Sequence, residues 1–147
     1  MARTAVPCLL ALLALGACGG RPQPSQACIQ AQSADVLRAL SHAPRRVALA
    51  DGTALSQCVR RTIDDVRLQA LGAALTAAAD ALAQRMRASQ QAAYQLGFLI
   101  GATARGAGQA AGMQDELAHR VAGSAGLDGG PRRAALLRGR AAGLRAG

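Results

Sequence analysis

Apolar side chains recur with a helical period along most of this chain. Leu68, Leu71, Leu75, Ala79, Leu82 and Met86, placed at 100° per residue, share a sector of about 80°, which predicts an amphipathic helix with one buried face. Val59, Ile63 and Val66 lie on the opposite side of that wheel, while Asp64 falls inside the leucine stripe. One straight helix cannot bury both sets on a single face, so a break is expected near Asp64-Asp65, with Asp65 capping a helix that runs to about residue 88. The alternative is one long helix buried on two sides.

The same pattern places the other elements. A first helix is expected over 27–41, burying Ile29, Val36, Leu37 and Leu40 and ended by His42, Ala43 and Pro44. Residues 45–55, RRVALADGTAL, read as a connector with a turn at Asp51-Gly52, and Ser56 as the N-cap of a second short helix. The stretch 92–104, AAYQLGFLIGATA, is the least polar of the chain beyond its first residues, yet too short to cross a bilayer, which predicts a central core helix. Within it Ala93, Gly97 and Gly101 form a ridge of small residues, against which a neighbouring backbone of the same chain can approach closely. A last core helix is expected over 112–123, with Met113, Leu117 and Val121 buried; acids at its start and His119-Arg120 at its end complement the helix dipole. The expected fold is all-α, a small irregular bundle of about four to five helices.

Residues 124–131, SAGLDGGP, read as a linker, and 132–146 carry five arginines and no acid. Ala134, Leu137, Ala141 and Leu144 make a thin apolar stripe there, while Gly139 and Gly143 weaken the helix. Two readings stand: a basic amphipathic segment on anionic lipid, with Arg132, Arg133, Arg138, Arg140 and Arg145 as the contacts, or a solvated, fraying helix.

The amino terminus is of another kind. Arg3 and the terminal amine precede an uncharged apolar run, residues 4–17, and small residues lead up to Cys18, the layout of an export signal. Leu15-Gly16-Ala17-Cys18 at the end of that run resembles the lipobox of bacterial lipoprotein precursors. The resemblance covers about the first twenty residues. It implies a signal peptide over 1–17, cleavage before Cys18, a diacylglyceryl thioether on that cysteine and a lipid-anchored, extracytoplasmic protein. The class's retention signal for the inner membrane, an Asp after the cysteine, is replaced by Gly19, which in a two-membrane cell favours the outer membrane. Residues 18–27 then comprise the lipidated cysteine and a flexible tether, 28–123 a helical domain, and 124–147 the linker and basic segment.

Export changes how the cysteines are read. Cys8 leaves with the signal and lipid blocks Cys18, so Cys28 and Cys58 remain as a pair in an oxidising compartment, and a disulfide between them is expected. Metal ligation is the weaker alternative, because Cys28, Cys58, His42 and His119 lack the close paired spacings of zinc sites.

Charge adds a partner class. The net charge is +9, all 17 positive side chains are Arg, and Glu116 is the sole glutamate. Heavy Ala, Gly and Arg use without Lys fits a high-GC coding bias, so the preference for Arg carries no information about phosphate recognition. The positive balance itself implies attraction to anionic lipid or envelope polymers. Nucleic acid is not an expected partner outside the cytoplasm.

Candidate chemistry is sparse. No GxSxG, HExxH or phosphate-binding loop occurs, and His42 and His119 are the only imidazoles. Asp51, His42 and Ser56 could be drawn as a triad, and Glu116-x-x-His119 has the spacing of di-iron bundles, but such sites need several carboxylates from different helices. No catalytic residue, metal or cofactor is expected. The string YQLGFLIGAT resembles tetratricopeptide and Sel1-like repeats over one segment, without a second copy, leaving a helical scaffold as an alternative. The expected role is binding of an unidentified protein partner, or a structural part in the cell envelope.

Overall fold

A computed structural model describes residues 23–108, 112–126 and 132–147. The expected signal peptide, lipobox and lipidation site, residues 1–18, lie outside the described residues. Those described form seven helices and no strand: α1 (Gln26–Ile29), α2 (Ser33–Ser41), α3 (Leu55–Arg61), α4 (Asp65–Met86), α5 (Gln90–Ala107), α6 (Met113–Gly123) and α7 (Arg133–Ala146). The all-α expectation holds, with more helices than the expected four to five because the first one divides and the C-terminal segment forms α7.

That division has a local cause. Gln32 is extended, and its N–H donates to the Asp35 carboxylate at 3.1 Å, so α2 starts afresh. Gln26 and Ala27, at the end of the expected tether, already belong to α1, which Ser25 caps. At the other end of α2, Gln95 and Gln91 of α5 each donate from Nε2, to the carbonyls of Leu40 and Ala43 at 3.1 Å. The Leu40 carbonyl, which also accepts the Ala43 N–H at 3.0 Å, thereby gains a second donor, and both bonds tie the end of α2 to α5.

The break before α4 is present, one residue from the expected cap. Asp64, rather than Asp65, accepts the Arg67 N–H at 2.9 Å and starts the helix. All six members of the Leu68–Met86 stripe are buried, while Ile63 and Val66 are left exposed. The expected turn also forms: Gly52 adopts φ 82°, and the Asp51 carboxylate accepts the Thr53 N–H at 2.9 Å.

α4 and α5 are joined by three residues, Arg87–Ser89, and form an antiparallel hairpin. α6 runs parallel to α4, since Leu117 meets Gly72 and the Ser124 hydroxyl donates to Asp80 at 2.7 Å. α7 runs parallel to α5: Gly139, Gly143 and Gly147 lie in order against Tyr94, Phe98 and Ala102. α5 is the hub, touching α3, α4, α6 and α7, and Leu96, Phe98 and Leu99 on it are almost wholly buried. Met113, expected in the core, stands 47% exposed at the start of α6, while Leu117 and Val121 are buried as expected.

Candidate functional site

The feature that bears most on function is the way α5 and α7 meet. A β-carbon on Gly97 or Gly101 would fall within 3.0 Å of the backbone of α7 at Leu136, Arg140 or Leu144. One on Gly139 or Gly143 would equally strike the backbone of α5 at Tyr94, Phe98 or Ala102. Four glycines, two on each helix, thus bring the two backbones into direct contact. The ridge on α5 is used as expected, within the chain; the glycines of α7, expected to weaken it, are what let it dock.

Docking decides which way α7 faces. Ala135, Gly139 and Gly143 are buried, with Leu136 and Ala142 packed beside the core. The stripe of Ala134, Leu137, Ala141 and Leu144 points outward, leaving Leu137 48% and Leu144 45% exposed. Glycine has no apolar side chain to mark a buried face in a hydrophobicity pattern, so the stripe did not show which face docks on α5.

Around that outward stripe the charges are ordered. On the helical wheel Arg133 and Arg140 lie within about 40° of one edge, and Arg145 and Arg138 within about 40° of the other. All four are exposed, whereas Arg132 is half-buried. The ion pairs among the described residues are Arg38–Asp35 at 3.1 Å and Arg120–Glu116 at 3.2 Å, with His119 Nε2 3.5 Å from Asp115, and none of these involves α7.

The carboxyl end of α7 is held firmly. Buried Ser56 donates its hydroxyl to the Gly147 carbonyl, so it is not the N-cap of α3; that position belongs to Ala54. Arg105 of α5 donates to the carbonyls of Arg145 at 2.5 Å and Gly147 at 3.3 Å. Two residues beyond Ser56, Cys58 is bonded to Cys28, with an S–S distance of 1.96 Å and a Cα–Cα distance of 5.3 Å. Both cysteines are buried, and their bond ties α1 to α3.

The other sequence candidates do not converge. Ser56 serves Gly147, while Asp51 accepts from Thr53, so no hydrogen bond joins Asp51, His42 and Ser56. The Ser25 hydroxyl beside it, and then the Thr53 N–H, hold the Asp51 carboxyl below the ordinary carboxylate range. His119 pairs with Asp115, one turn away, rather than with Glu116. Among the described residues no group of three or more His, Cys, Asp or Glu could hold a metal ion, and no helix is long and apolar enough to cross a membrane.

The surface of the described residues also carries two open cavities. The larger, about 620 Å³, lies between the ends of α4 and α6 and the start of α7, and Arg87, Arg132 and Arg133 make its lining basic. The smaller, about 370 Å³, is lined by the Asp35–Arg38 pair, His42 and the 48–50 connector. Searches against family models, curated proteins and solved structures find no match to this chain.

Proposed function

We propose that this chain is an exported lipoprotein whose helical body works at the cell-envelope surface, by binding a protein partner or as a structural component, and not as an enzyme. Cys18 carries the lipid, the residues after it form a short tether, and the folded body stays close to the membrane that holds it. With Gly19 after the cysteine, that membrane is the outer one in a two-membrane cell.

The observation that carries this reading is the buried Cys28–Cys58 bond. Disulfides persist in extracytoplasmic compartments and are rare in reducing ones, so the bond agrees with what the lipobox implies. Repeat scaffolds stack helix pairs of similar length. These helices run from 4 to 22 residues, which favours a single module over a repeat array.

The experiment is metabolic labelling of the full chain with an alkyne fatty acid, followed by membrane fractionation. Label and membrane retention are expected for the wild type and for Cys28→Ser, and loss of label for Cys18→Ser. A wild-type chain that takes up no acyl label overturns the proposal.

A further inference from the structure

We infer that the outward face of α7 rests on an anionic lipid surface, with Leu137 and Leu144 entering between headgroups and Arg133, Arg138, Arg140 and Arg145 on their phosphates. The inference builds on the anchored-lipoprotein reading and names the surface that the folded body meets.

Three observations carry it. The first is orientation: backbone contact at Gly139 and Gly143 locks the opposite side of α7 onto α5, so the Leu137–Leu144 stripe cannot turn inward without breaking that contact. The second is arrangement. An apolar strip bordered by arginines on both sides is the layout of a helix lying in a membrane interface, where aliphatic stems follow the apolar strip and guanidinium groups reach the phosphates. An extended polyanion would be served by the arginines alone and has no use for exposed leucines. α7 also lacks any acid that would repel anionic lipid.

The third observation is reach. Gly147, at the end of α7, is hydrogen-bonded to Ser56, and Ser56 lies half a helical turn from Cys58, the disulfide partner of Cys28. Of the nine residues between Cys18 and Cys28, Gln26 and Ala27 belong to α1, and the seven before them extend at most about 25 Å. A lipid on Cys18 and the face of α7 can therefore engage one membrane together. Two exposed leucines make a weak wedge by themselves, and the anchor multiplies their effect by holding the face at high effective concentration. Each arginine near an anionic surface adds roughly a fivefold factor in binding.

The test uses residues 19–147 without lipid, a span that contains every packed residue among those described. Co-sedimentation with phosphatidylglycerol/phosphatidylcholine vesicles is compared with pure phosphatidylcholine vesicles, at low salt and at high salt. Binding to the anionic vesicles is expected, at least tenfold tighter than to the neutral ones and lost with added salt. The pair Arg138→Gln/Arg145→Gln should weaken it at least tenfold, and Leu137→Gln/Leu144→Gln severalfold. The pair Arg60→Gln/Arg85→Gln, on α3 and α4, should change it less than twofold. No binding at low salt overturns the inference. So does equal loss from the Arg60/Arg85 pair, which would mean attraction by net charge alone, or undiminished binding of the leucine pair, which would point to a polyanion. Acyl labelling that fails while vesicle binding persists removes the anchor and leaves the α7 surface; the reverse result removes the surface and leaves the anchor.

Discussion

Gly143 sits against the backbone of Phe98 so closely that a β-carbon on it would overlap the Phe98 carbonyl. The same contact, repeated at Gly139 with Tyr94, makes α7 part of the packed body and turns its leucines outward. Helix propensity alone recommends alanine at both positions, and packing forbids it.

Gly143→Ala is therefore expected to destabilise the protein by about 1–3 kcal/mol, the usual range for overpacking, because the obstacle is backbone and cannot move aside as a side chain can. Gly123→Ala at the end of α6 meets nothing within 4 Å and should instead leave stability unchanged or raise it by up to about 1 kcal/mol. Urea unfolding of the two variants checks the opposite signs.

Ser56 and Arg105 hold the last turn of α7. Ser56→Ala removes one donor from the Gly147 carbonyl and should lower stability by about 1 kcal/mol, since Arg105 still reaches that oxygen. Arg105→Gln should act more locally, speeding hydrogen exchange of the 143–147 amides while the amides of α4 stay protected.

The Cys28–Cys58 bond closes a loop with a sequence separation of 30. Replacing both cysteines with alanine should lower stability by about 3–4 kcal/mol in the chain-entropy picture. Because both sulfurs are buried, a mild reductant should open the bond readily in urea and only slowly in the native protein, as thiol titration over time will show.

Asp51 supplies the pH-dependent prediction. Its carboxyl titrates lower in the folded chain than in the unfolded one, so its contribution to stability is present above the ordinary carboxylate pKa and is lost as pH falls through the lowered one. The difference in Tm between wild type and Asp51→Asn should be largest near neutrality and shrink towards zero in strong acid. A difference that stays constant with pH would mean that the charge on Asp51 is not what stabilises the turn.

Much of this fold was legible in the order of residues because burial repeats with the helix. The leucine stripe of α4, the break at Asp64, the Asp51-Gly52 turn and the apolar core of α5 each follow from local pattern and local hydrogen bonding. The pairing of Cys28 with Cys58 was expected from the cysteines that the export reading leaves, and the fold brings those two together.

What only the tertiary structure decided is where small residues put α7. A hydrophobic stripe says which side chains gain from burial, but glycine takes part in packing through the absence of a side chain, and that benefit exists only when another backbone arrives. Gly97 and Gly101 announced a close approach without naming the partner; Gly139 and Gly143 looked like faults in a helix until the two ridges met. The same meeting took Ser56 from an expected cap to a distant carbonyl, and fixed the apolar stripe of α7 as an exposed, arginine-bordered face of a packed helix.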